Sequence, residues 1–151
     1  MLTKDVEQIR EMLQLLVRRF GFLQKEGAQC CGVSPVLSHV IYEIGKNPQI
    51  TLNELADLIG LDNSTTSRHI QSLIKQGLVL STPSEVDKRY IALTLTKAGR
   101  ETADNITKLM VSYISDLFKN IPEGKREQVL ESIDLLLAAM RNSPMCCKAP
   151  M

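Results

Sequence analysis

The four cysteines of this 151-residue chain occur as two adjacent pairs. Cys30 and Cys31 lie in "AQCCGVSP", and Cys146 and Cys147 in the C-terminal "PMCCKAPM". Thiolates ligate soft ions, and four of them suit Zn(II) or a thiophilic species such as As(III), Hg(II), Cd(II) or Cu(I). Adjacent cysteines lack the C-x2-C spacing of zinc fingers, and they bond to each other poorly because the ring strains the intervening peptide. The doublets therefore favour a soft metal or metalloid ion as an effector, or oxidation linking one doublet to the other, over structural zinc. The plain alternative is that Cys30 and Cys31 are small core residues and that Cys146 and Cys147 sit inert on a flexible tail. No cofactor is obligatory in either case.

A second set of residues suits a different chemistry. In "NSTTSRHIQSLIKQG", Ser64, Thr65, Ser67, Arg68, Gln71, Ser72 and Lys75 share one side of a helix that Asn63 opens, and no acid interrupts them. Hydroxyl, amide and guanidinium groups of this kind donate to phosphates and read base edges in a major groove. Arg68 is the best single candidate, for a phosphate or a guanine. Lys88 and Arg89, in "STPSEVDKR", are placed to reach a DNA backbone or a narrow minor groove, which attracts cations. Asp87 is expected to pair with Arg89 and fix its direction without touching DNA. A solvated surface is the default for polar residues taken singly. Only the elements that hold them can decide for DNA.

Those elements can be read on either side of the polar run. "TLNELADLIG" opens with Thr51 and Glu54 at capping-box spacing and closes on Gly60. After Gly60, Leu61 and Asp62 the polar helix begins, with Thr66, Ile70, Leu73 and Ile74 as its buried side and Gly77 as its end. Two short helices joined by a tight glycine-containing turn form a helix-turn-helix pattern. "LVL" (78–80) and the alternating "YIALTLT" (90–96) read as two strands, with a turn-rich connection whose tip is roughly residues 82–89. A helix-turn-helix followed by a two-stranded hairpin is a winged helix, and that context favours a double-stranded DNA surface.

Longer helices flank this unit. Residues 3–26 carry Val6, Ile9, Leu13, Leu16, Phe20 and Leu23 at helical spacing, with Met12, Leu15 and Val17 widening the apolar side. Ser34-Pro35 caps a second helix that ends near "IGKNP". After the expected cap Thr96 come Ile106, Leu109, Met110, Tyr113, Ile114 and Leu117, and beyond Pro122 come Val129, Leu130, Ile133, Leu136, Leu137 and Met140. The expected fold is mainly α with a small β-hairpin wing. It is a single domain over 1–151, with a winged helix at about 48–96, flanking helices at about 3–26 and 97–142, and a flexible tail at 143–151. The flanks are more apolar than one winged helix can cover, which predicts a homodimer on an inverted-repeat operator.

Composition agrees with a globular protein: 44% hydrophobic, 23% charged, net charge +1. Any basic site must therefore be local. No apolar run of signal-peptide or membrane-span type occurs, so no membrane partner and a cytoplasmic location are expected, where thiols stay reduced. No carboxylate pair, glycine-rich phosphate loop, Ser/His/Asp set or C-x-x-C motif argues for an enzyme. A winged helix that binds only protein is the rival of another class. His39 reads as a packed or solvent-facing histidine, His69 as leaning on phosphate or neighbouring side chains, and the six methionines as packing.

The segments "LADLIGLDNSTTSRHIQSLIKQGLV" and "DKRYIALTLTKAG" resemble the MarR family (multiple antibiotic resistance regulators) of dimeric winged-helix transcription factors. The resemblance rests on Asp87, Arg89, Leu95, Thr96 and Gly99 in the wing and post-wing pattern, and it extends over nearly the whole chain. Two departures stand out: Thr66 replaces a usual apolar residue, and Leu80-Ser81 replaces a common basic one. The resemblance implies a regulator, expected to be a repressor, released by an effector. It also implies interdigitating terminal helices, which would bring the two cysteine doublets together within or between subunits. With inert cysteines, it implies instead a small aromatic effector bound in the region that His39 faces.

Overall fold

The computed structural model describes residues 3–29 and 31–143. Among them the elements run α1 (Thr3–Gln29), α2 (Pro35–Lys46), β1 (Ile50–Thr51), α3 (Leu52–Ile59), α4 (Asn63–Lys75), β2 (Val79–Pro83), β3 (Ile91–Leu95), α5 (Lys97–Lys119) and α6 (Glu123–Arg141). The helix starts are explained by their caps. Ser34 accepts the Leu37 amide at 3.3 Å ahead of Pro35. Thr51 Oγ1 accepts the Glu54 amide at 3.3 Å while the Glu54 carboxylate accepts the Thr51 amide at 2.8 Å. The Thr51 amide and hydroxyl, both donating to the Glu54 carboxylate, hold it below the usual carboxylate range. Gly60, with φ 69°, ends α3 in the left-handed region that a side chain rarely adopts, so the chain can turn into α4 within three residues.

The sheet differs from the expected hairpin. It has three antiparallel strands in the order β1-β3-β2, because Ile50 pairs with Leu93 and Thr51 with Ala92. A two-residue strand carries no alternation that a sequence could show. The second strand also runs on to Pro83, beyond the expected 78–80. Proline is tolerated there because β2 is an edge strand and an outward-facing N–H is not required.

Val40, Ile41, Ile44, Leu55, Leu73, Val79 and Leu93 are buried at the centre, joining α2, α3, α4 and the sheet in one core. Thr66 sits among them fully buried, and its hydroxyl donates to the Asp62 carbonyl at 2.9 Å. A hydroxyl thus replaces the usual apolar residue without an unsatisfied polar atom. The flanking helices are different. Val17, Phe22 and Leu135 are 68%, 63% and 73% exposed. None of the described residues of α6 is buried, although Leu130, Ile133, Leu136, Leu137 and Met140 line it. Cys31 is half-buried in the turn after α1, its amide donating to the Ala28 carbonyl at 3.1 Å. Cys30, Cys146 and Cys147 lie outside the described residues.

Candidate nucleic-acid interface

The recognition face is built from the head of α4 outward. Asp62 caps the helix: one carboxylate oxygen accepts the Thr65 amide at 2.8 Å and the Ser64 hydroxyl at 2.5 Å, and the other accepts the Thr65 hydroxyl at 2.6 Å. Those bonds hold the Asp62 carboxyl far below the usual carboxylate range. The Asn63 amide donates to Asn53 Oδ1 at 3.0 Å, bracing the start of α4 against α3. Ser67 and Ser72 are half-exposed, and Arg68, Gln71 and Lys75 are exposed. Gln76 donates to Ser72 Oγ at 3.2 Å and to the Ser72 carbonyl at 3.3 Å, near the helix end where Lys75 complements the dipole.

The wing presents its cation in a fixed direction. The Arg89 guanidinium lies against the Asp87 carboxylate, with Nε at 3.0 and 3.1 Å from its two oxygens and one terminal nitrogen at 2.7 Å, while the Arg89 amide donates to the same carboxylate at 3.0 Å. The pairing lowers the Asp87 carboxyl and raises the Arg89 guanidinium. Ser84, buried beneath the tip, accepts the Val86 and Asp87 amides at 3.3 and 3.4 Å and closes the loop through its own amide to the Tyr90 carbonyl at 2.8 Å. Lys88 is exposed at the tip.

Helix and wing face one cleft of about 300 Å³. Ser67 and Gln71 line it from α4, Asn53 from α3, and Ser81, Arg89 and Tyr90 from the wing. The candidate DNA residues at the middle of the helix and at the wing are therefore neighbours in space, 18 or more positions apart in sequence. Spacing alone singled out neither Asp62 nor Asn53 nor Ser84. For Asp62 a signal existed: an N-cap residue directly ahead of the polar run, with Thr65 at N3.

A larger concavity, about 680 Å³, opens between α1, α2, α5 and α6. Its walls are mostly apolar (Ile106, Met110, Ile114, Phe118 and Leu130), and Gln24, Ser38, His39, Tyr42, Thr107 and Ser115 supply its polar groups. Among the described residues no group of three or more His, Cys, Asp or Glu stands where it could hold a metal ion, and no helix is long and apolar enough to cross a membrane. The soft-ion site expected at the cysteine doublets falls on residues mostly outside that set.

A tight two-helix turn carrying a polar second helix, backed by a short sheet with a charged tip, defines a winged helix-turn-helix protein. A family model described as MarR family matches residues 32–89. The HTH-type transcriptional regulator BilQ of Clostridium symbiosum is 27% identical over 126 residues, 83% of this chain and 83% of its own. FabT of Streptococcus pneumoniae, solved in complex with DNA, superposes with a TM-score of 0.82 at 19% identity, covering 91% of this chain and 98% of that one. A MarR protein from Peptoclostridium difficile gives a TM-score of 0.79 at 25% identity, covering 94% of each chain. The chain is thus similar to MarR-type DNA-binding transcriptional regulators, in sequence over residues 32–89 and in fold over most of its length.

Proposed function

We propose that the protein acts in the cytoplasm as a homodimer on an inverted-repeat operator, as a repressor that an effector releases. The observation that carries this is the shared cleft, where Ser67 and Gln71 of α4 and Arg89 of the wing converge on one surface. In this reading Asn63, Ser64, Thr65, Ser67, Arg68, Gln71, Ser72 and Lys75 meet the major groove, while Lys88 and Arg89 reach the flanking backbone or minor groove. Dimerisation is supported by the uncovered apolar sides of α1, α5 and α6. A two-fold that covered them would set two recognition helices about one DNA turn, roughly 34 Å, apart. Gel shift and footprinting on the DNA upstream of the protein's own gene test this. A palindromic footprint is expected, and protection of one unrepeated half-site by a monomer would refute it.

The effector reading with geometric support is an apolar small molecule, aromatic or otherwise, in the cavity between α1, α2, α5 and α6. A site of that volume fits a ligand of ordinary size, and it touches both α2 of the winged body and α5 of the base, so occupancy biases their relative arrangement. The cysteine doublets are a second reading, favoured by their clustering and by the place of Cys31 at the turn between α1 and α2. Titrating aromatic acids, As(III), Cd(II), Hg(II), Cu(I), Zn(II) and a mild oxidant against the protein–operator complex separates the two. The wild type is compared with Cys30→Ser/Cys31→Ser, Cys146→Ser/Cys147→Ser and a cavity-filling Ile114→Phe. Thiol sensing requires a response that the serine variants lose, and pocket sensing requires one that only the Ile114 variant loses.

A further inference from the structure

Every hydroxyl has one proton and two lone pairs, so a serine or threonine that donates inward can only accept outward. Ser64 and Thr65, in the first turn of α4, both donate to the same carboxylate, at 2.5 and 2.6 Å. An ionised carboxylate only accepts, so the direction of both bonds is fixed. We propose that Asp62 sets the polarity of two side chains of the recognition helix: by taking both hydroxyl protons it makes Ser64 and Thr65 present only acceptors outward. In a major groove the complementary groups are the exocyclic amines of adenine and cytosine, whereas guanine N7 and O6, thymine O4 and the phosphate oxygens only accept. Ser64 and Thr65 therefore read an amine on a base and do not clamp the backbone. That division leaves phosphate and guanine to the true donors farther along, Arg68 and Lys75, and to the wing. Asp62 touches no base; it acts as a positioning residue through the two hydroxyls.

The inference rests on the DNA-binding reading and is tested apart from it. Operator sites are first selected by the wild-type protein from a random duplex library. Each adenine or cytosine is then replaced in turn by purine or 2-pyrimidinone, which lack the exocyclic amine. Wild type should lose roughly five- to tenfold in affinity at one such position in each half-site, the effect of a single hydrogen bond. In Asp62→Ala neither the Ser64 nor the Thr65 hydroxyl keeps its acceptor, so both are free to donate outward. That variant should lose the sensitivity and admit guanine or thymine at the position. Ser64→Ala/Thr65→Val keeps the Asp62 cap on the Thr65 amide and should lose the sensitivity as well. Any weakening of the duplex by the analogue is common to all three proteins and cancels in their ratios. Selected sites bound by wild type with no amine-dependent position overturn this inference alone, as do variants that remain as sensitive as wild type. Failure of wild type to select any duplex overturns the DNA-binding reading and this inference with it.

Discussion

Gly99 is the residue on which the wing and the base are joined most closely. A β-carbon built there would fall far inside the van der Waals radius of the Leu78 carbonyl oxygen, 3.0 Å from the Leu78 carbonyl carbon and 3.3 Å from Leu95 Cβ. The obstructing oxygen is not the end of a flexible side chain. It belongs to the backbone just before β2 and accepts the Thr96 amide at 3.0 Å. Relief therefore requires α5 to lift from the sheet, which would also stretch the Thr96 cap on the Gly99 amide (2.9 Å) and its hydroxyl bond to the Gly77 carbonyl (2.7 Å). Overpacking against fixed backbone lies at the upper end of its usual range, so Gly99→Ala should cost about 3 kcal/mol or more. For a chain of this size that lowers Tm by about 6–12 °C. Gly21, inside α1, is the control: nothing lies within 4 Å of a β-carbon there, so Gly21→Ala should stabilise by about 0.5–1 kcal/mol. Thermal melts followed by circular dichroism read both. A Gly99→Ala protein melting with wild type would refute the close packing of α5 on the strand.

Arg68→Ala should weaken operator binding by about 1–3 kcal/mol and relax preference at one base if Arg68 reads guanine. Arg89→Ala should weaken all sequences alike and lower the slope of log K against log salt by about one unit, measured by fluorescence anisotropy. Leu16→Glu with Leu136→Glu places four carboxylates per dimer on the uncovered apolar sides and should give a folded monomer by sedimentation, with operator affinity falling accordingly. Folding holds the Asp62 carboxyl below its unfolded value, so its stabilising effect is complete above an unfolded pKa of about 3.9 and is lost as pH falls below that. Wild type should therefore lose more stability than Asp62→Asn between about pH 5 and pH 2 in denaturant titrations, and parallel curves would show that the cap bonds contribute nothing.

The parts of the fold that were legible in the sequence are those whose cause is local. Thr51 with Glu54, Ser34 with Pro35, and Thr96 each announce a helix start within four residues, and the spacing of Thr66, Ile70 and Leu73 marks the inner side of α4 without reference to any other element. What depends on pairing across space was not legible. β1 exists because Ile50 and Thr51 lie beside Leu93 and Ala92, and β2 continues to Pro83 because Pro83 pairs with Ile91 at the sheet's edge, with no strand outside it among the described residues. In the site, the polar types on α4 and the Asp87–Arg89 pair could be read from spacing, since that pair stands within a single turn of chain. The shared cleft and the inward direction of the Ser64 and Thr65 hydroxyls needed coordinates. Asp62 passed for a linker residue because the same side chain serves turns and caps equally well.

The junction at Gly99 makes α5 a lever. Its 23 residues begin against the sheet and run to Lys119, where Arg126 of α6 ties the two helices by donating to the Phe118 and Ile121 carbonyls at 3.1 and 3.2 Å. A helix of that length, at 1.5 Å per residue, is about 34 Å long, so a tilt of roughly 10° at the base carries the far end about 6 Å. That travel approaches two base-pair steps of roughly 3.4 Å each along a duplex. With α5 seated on backbone at its first turn, little of the motion is absorbed before it reaches the wing. A tilt of roughly 10° among α1, α5 and α6 would thus be geared up to a shift of between one and two base-pair steps at the wing.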